Sequence, residues 1–163
     1  MSKTLLVSAT PLEHGGLTEL NGLPIFQVGI GKINSAMNMA DLIHKHKPYV
    51  VINFGSCGNL KNHKVGEVIE VGTVYNNIDV RPFAPYGCTQ GNIPCGVKVS
   101  DSGIRCFTTD QIYDNSRSDY AEKYLEMINE CDIVDMECYS LAYVCKRYGV
   151  DFKSYKWVSD DGN

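Results

Sequence analysis

"LPIFQVGIGKINSAMNMADLIHKHKPYVVINFGSCGNL", residues 23–60, decides the fold. It opens with an apolar run that breaks at Gly29 and Gly31. Residues 32–47 follow, with apolar side chains at Ile33, Ala36, Met37, Ala40 and Ile43, the spacing of one helix face. Pro48 stops that helix because it has no N–H to donate to the preceding turn. The cations of "HKHK" (44–47) suit the negative end of the helix dipole. A continuous apolar run, 49–60, then enters a turn bracketed by glycines, "GSCG". Strand, helix, strand in this order argues for parallel pairing and an α/β layer fold.

The flanking sequence extends the pattern. "KTLLVSAT" (3–10) reads as a buried strand running into a loop, "PLEHGGLTELNG". "VGEVIEVGTVYN" (65–76) is strongly β, residues 77–96 form an irregular loop, and 96–108 hold two short strands. A helix is predicted over 116–131, capped by Ser116 or Ser118. "DIVDME" is a strand end, 138–149 a helix closed by Gly149, and 151–161 a last strand. The prediction is a single domain over 1–163, with a central sheet flanked by helices.

Composition narrows the class. With 44% hydrophobic and 21% charged residues in 163, the chain can bury a core without staples. A net charge of −4 and the lack of a basic stripe argue against nucleic acid as a partner. The apolar run of "MSKTLLVSA" is too short for a signal peptide or a membrane span. Seven cysteines, odd in number and irregular in spacing, predict reduced thiols in the cytoplasm. Cys88, Cys95 and His63 lack the CxxC spacing of a zinc site, so no metal is expected.

In open α/β sheets, ligands bind beyond the carboxyl ends of the strands. Glu13, Ser56, Glu137 and Asp160 fall at such ends. Taken singly, Glu13 reads equally as a solvated side chain, Ser56 as a turn residue, and Ser159-Asp160 as a cap or tail. Asp135 and Glu137, on either side of Met136, must be exposed, paired or holding something.

Four stretches in order, "VGIGKINSA" (28–36), "INFGSCGNLKNHKVGEVIEV" (52–71), "VDMECYSLAYVC" (134–145) and "KWVSDD" (156–161), carry a resemblance. They resemble the nucleoside phosphorylase/nucleosidase superfamily, and most of all its 5′-methylthioadenosine/S-adenosylhomocysteine nucleosidases. The resemblance implies a three-layer α/β fold with a mixed sheet, phosphorylase/hydrolase-like, and hydrolysis of a purine nucleoside. It implies Asp160 as the acid that protonates the leaving purine and Glu13 as the group that activates water. Glu137 would bind the ribose hydroxyls, Met136 the sugar face, and Ser56 the water or ribosyl side. Ser159 would orient Asp160, and Asp135 would cap the helix after Glu137.

Three positions depart from the pattern. Lys156 stands where nucleosidases often carry Arg, as a substrate-binding cation without the bidentate fork. Ile112 and Tyr113 stand where the family places an aromatic on the purine and a backbone contact to it, so both are expected to bind substrate, and an Ile there lacks the stacking surface. "TPLE" (10–13) resembles the form found in futalosine hydrolases. Asp79 and Phe83 resemble a stretch near the family's subunit interface, which implies a homodimer; no cofactor is implied. Asn53 stands where purine nucleoside phosphorylases carry an Arg, which favours water over phosphate as nucleophile. The family's long helix after the acid has no counterpart before Asn163, so the fold is expected to be short at its C-terminal end. Phosphorolysis, futalosine-type hydrolysis and nucleoside binding without turnover are the alternative functions.

Overall fold

Strand β4 (Val50–Asn59) is the axis of the sheet. The computed structural model describes residues 4–89 and 95–160. Along one edge, β4 runs parallel to β10 (Asp151–Asp160), from Asp151↔Val50 to Asp160↔Gly58. Its other edge changes partner. It starts parallel to β1 (Thr4–Ser8), in register from Thr4↔Val50 to Val7↔Asn53. It ends antiparallel to β9 (Ile133–Asp135), at Gly58↔Val134 and Asn59↔Ile133. Residues 54–57 lie in the gap between these two pairings.

The remaining strands widen the sheet. Beyond β1 lie β3 (Leu23–Gln27) and the short β2 (Glu19–Leu20). Beyond β9 come β8 (Arg105–Thr108), β6 (Thr73–Asn76) and β7 (Gly96–Lys98), while β5 (Val68–Glu70) pairs with β10. Parallel and antiparallel pairs mix, as predicted.

Helices cover both faces. Helices α1 (Lys32–His46) and α3 (Cys138–Tyr148) pack with Val7, Val51, Cys106, Ile133 and Val158 in the main core. Helix α2 (Glu122–Glu130) packs through Tyr124 and Ile128 with Phe107 and Val134. Cys106 and Phe107, like Ile133 and Val134, are neighbours on one strand and so point to opposite faces. The result is the predicted three-layer arrangement, with α1 and α3 on one face and α2 on the other.

Local readings change in five places. The "GSCG" turn is strand, because its glycines are needed for space. A Cβ on Gly55 would sit 2.4 Å from Glu13 Oε1, and one on Gly58 2.9 Å from Val134 Cγ1. The stretch 65–76 is two strands. A Cβ on the intervening Gly72 would lie 2.9 Å from Gly103 N. In α1 the buried side chains are Ser35, Met39 and Ile43, while Ile33 and Met37 face outward. Helix α2 begins at Glu122 rather than near Ser116. Ser116 bonds Asp114, and Arg117 pairs with Asp119, so these side chains satisfy one another without a helix. Cys88 and Cys95, predicted to be thiols, form a disulfide; Cys57, Cys106, Cys131, Cys138 and Cys145 are free and buried.

A buried ion pair links β9 to β10, the strands on either side of β4. Lys156 Nζ lies 2.9 Å from Asp135 Oδ2, both side chains 1% exposed. Replacing Lys156 with Met leaves a carboxylate buried and unpaired, a cost of about 3–5 kcal/mol. Urea unfolding of Lys156→Met should show that loss, with partial recovery in Asp135→Asn/Lys156→Met. Equal stability of parent and Lys156→Met would contradict it.

Candidate active site

The gap along β4 is filled by a carboxylate. A single 3₁₀ turn, Pro11–His14, follows β1 in what reads from sequence as loop, and it folds Glu13 back toward the sheet. Glu13 Oε2 accepts from the N–H of Ala9 at 2.6 Å and of Thr10 at 3.3 Å. Oε1 accepts from the Ser56 N–H at 3.0 Å and Ser56 Oγ at 3.4 Å. The serine hydroxyl is the loosest of the four donors. It is the contact that a water can share without disturbing the backbone bonds.

Asp160 arrives from the other side of β4. Sheet register shifts between Val158↔Cys57 and Asp160↔Gly58, leaving Ser159 as an extra residue. Such a bulge re-aims the following side chain. Asp160 Oδ1 comes to 3.5 Å from the place a Gly58 Cβ would occupy. Ser159 Oγ is 2.7 Å from Asp160 Oδ2 and 3.2 Å from Cys57 O. The hydroxyl can therefore donate to an ionised Asp160, or turn to Cys57 O and accept from a protonated one.

Glu137 closes the third side, at the start of α3. It is 6% exposed, and its Oε1 accepts the Gly31 N–H at 3.0 Å. Burial, then the neighbouring Asp135 charge, push its pKa up to about 7, against the pull of Lys156 and Gly31. Asp135 sits beneath and takes the N–H groups of Cys138 (2.8 Å) and Glu137 (3.3 Å), the helix-capping role foreseen for it. Burial pushes Asp135 up, but Lys156 and the Thr108 hydroxyl hold it below the ordinary carboxylate range. Lys156 is desolvated as well, yet Asp135 holds its pKa well above the usual value.

These groups surround one cavity of about 610 Å³. Glu13, Ser56, Met136, Glu137, Ser159 and Asp160 all line it, and so do Ile112 and Tyr113. Lys156 does not. The expectation that it binds substrate is corrected, because its ammonium is buried under the cavity floor and bound to Asp135. Asp79 and Phe83 are also outside the lining; Asp79 pairs with Arg81. Sequence reasoning missed Trp157, which forms part of the wall. Its position next to the Ser-Asp end of the last strand was the available signal. Cys106, Asp135 and Cys138 bring possible metal-ligand atoms within 4.8 Å of one another. The Lys156 ammonium already occupies Asp135 Oδ2, which disfavours a second cation there.

A profile described as Phosphorylase superfamily matches residues 18–95. A 5′-methylthioadenosine/S-adenosylhomocysteine nucleosidase of an Exiguobacterium species is 30% identical, over 85% of this chain and 67% of its own. The chain belongs to the nucleoside phosphorylase/nucleosidase superfamily. The corresponding nucleosidase of Actinobacillus succinogenes is 29% identical, over 89% of this chain and 71% of its own. Two solved structures share the superfamily fold at a TM-score of 0.81. One is the S. pneumoniae nucleosidase with a transition-state inhibitor, 19% identical over 98% of this chain and 86% of that one. The other is the futalosine hydrolase of Helicobacter pylori, 18% identical over 99% and 86%.

The raised Glu137 has a measurable consequence. A carboxyl whose folded pKa lies above its unfolded value stabilises the fold below the unfolded value, and that contribution is lost as pH rises through the folded one. For Glu137 the window runs from 4.5 to about 7. Across it the parent should lose stability on the order of 3 kcal/mol relative to Glu137→Gln. Urea unfolding at stepped pH checks this; parallel curves for the two proteins would contradict the assignment.

Proposed function

We propose that the protein hydrolyses the N-glycosidic bond of a purine nucleoside of the 5′-methylthioadenosine/S-adenosylhomocysteine type, releasing adenine and a ribose derivative. One observation carries the reading: two carboxylates, Glu13 and Asp160, reach a single cavity over the two glycines of β4. Gly55 and Gly58 are three residues apart, about 10 Å along a strand. That spacing leaves room for a ribosyl group and a base.

The chemistry divides between them. A water held by Ser56 Oγ and Glu13 Oε1 loses one proton to Glu13 as its oxygen bonds to the anomeric carbon. The glycosidic bond breaks, and its electron pair leaves with the base. A protonated Asp160 gives its proton to the purine, so the base departs neutral, while Ser159 turns from accepting to donating. Proton exchange with solvent then resets both acids. Above its raised pKa, Glu137 is an ionised carboxylate able to accept from both ribose hydroxyls.

Water fits as nucleophile better than phosphate. Among the described residues no arginine lines the cavity. Arg81, Arg105 and Arg117 pair with Asp79, Glu130 and Asp119. Asn53 is spent inside the sheet, donating to Val7 O and accepting from Ser154.

The same proposal includes a homodimer working in the cytoplasm. Leu12, Ile30 and Ile112 are 91%, 54% and 78% exposed at the cavity wall, and Ile33 and Met37 continue this apolar surface along α1. A second copy over this surface would narrow the cavity mouth. Five free, buried thiols fit a reducing compartment, whereas the Cys88–Cys95 disulfide does not.

The test is chromatography of free base from methylthioadenosine, S-adenosylhomocysteine, futalosine, adenosine and inosine, with and without phosphate. Adenine release that ignores phosphate is expected, falling about 10²–10⁴-fold in Glu13→Gln and Asp160→Asn. Sedimentation of the same sample should give twice 18.1 kDa. Release only with phosphate would establish phosphorolysis instead, and thermal stabilisation by a nucleoside without release would establish a binding protein.

A further inference from the structure

Trp157 is the only tryptophan in the chain and stands in the cavity wall. On β10 it lies opposite Ser56 of β4 and Val68 of β5. Across the bulge at Ser159, it lines the same cavity as Ser159, the residue that holds Asp160, and as Asp160 itself. It is therefore flanked by both ends of the chemistry: Ser56 with Glu13, and Ser159 with Asp160.

The ring is also uncommitted. Among the described residues, no aromatic stack or cation–π contact involves Trp157. Tyr113, the other large ring at the cavity, is engaged: it stacks on Tyr120 at 5.7 Å, and Tyr120 stacks on Tyr124 at 4.8 Å. Ile112 offers no ring. A planar heteroaromatic base gains most from a flat, polarisable face laid parallel to its own. An indole has two fused rings, so it overlaps a purine more fully than a one-ring pyrimidine.

We propose that Trp157 is the platform on which the leaving base stacks, and that it sets the preference for a purine. The proposal rests on the nucleosidase reading for its substrate, but its geometry requires only a base-binding cavity. A base lying on the indole has Ser159 and Asp160 beside its edge, where the proton must be delivered. Among the described residues lining the cavity, Trp157 is the aromatic outside any ring stack that also lies next to Ser159 and Asp160 along the chain.

A lone tryptophan makes the test direct. Indole emission should change saturably on titration with adenine, more weakly with cytosine, and not with a ribose lacking a base. Trp157→Leu should raise KM for methylthioadenosine about ten-fold or more, the size of one base–aromatic stack. Trp157→Phe should recover part of that loss, which a purely structural role would not give. Emission unmoved by adenine, or a parent-like KM in Trp157→Leu, overturns the proposal and leaves the hydrolase reading standing if base is still released. A saturable adenine response without hydrolysis of any nucleoside supports the platform and removes the enzymatic reading instead.

Discussion

A strand that changes partner part-way along an edge leaves backbone donors that something must satisfy. In this protein β4 leaves β1 after Asn53 and meets β9 at Gly58. The Ser56 N–H in the gap is taken by Glu13, whose second oxygen holds the backbone at the end of β1. One carboxylate thus closes the sheet where the cavity opens. Its position follows from the topology, and the glycine at 55 follows from its position. Asp160 reaches the cavity on the other side of β4, its Oδ1 in ordinary contact distance of a Cβ at Gly58, where the tight neighbour is Val134.

The second constraint is electrostatic. Asp135 and Lys156 are both fully desolvated, and each is tolerable only because of the other. The pair anchors the start of α3 through the N–H groups that Asp135 accepts. It also surrounds Glu137 with one charge of each sign, so that burial dominates and the carboxyl titrates near neutrality. A buried carboxylate with that property costs less to hold before ligand arrives than one ionised at all pH values. The Arg-to-Lys difference from the family pattern then has a physical meaning. A compact ammonium meets Asp135 as a point charge, and no fork is needed because the Thr108 hydroxyl serves the other oxygen.

Much of this was legible before any coordinates. The 23–60 stretch gives its strand, helix and strand, Asp135 acts as the cap its place suggests, and the strand-end carboxylates converge. Each depends on local pattern or on chain order. What escaped depends on distant partners. "GSCG" reads as a turn because nothing nearby reveals that Glu13 needs the room. The buried face of α1 is shifted from its apolar stripe because Ser35 meets Ser140 of α3 at 2.6 Å, a polar contact that hydrophobic spacing cannot see. Lys156 looked like a ligand for substrate because its partner, Asp135, comes from another strand.

The account's central claim is that the gap in β4 exists to hold Glu13 in working position. Gly55→Ala tests it without removing any chemical group, since the added methyl would stand 2.4 Å from Glu13 Oε1. The measurement is the rate of adenine release from methylthioadenosine by this variant, on protein shown by circular dichroism to remain folded. The account predicts a loss approaching that of Glu13→Gln. A folded Gly55→Ala protein that releases adenine at the parent rate would contradict it.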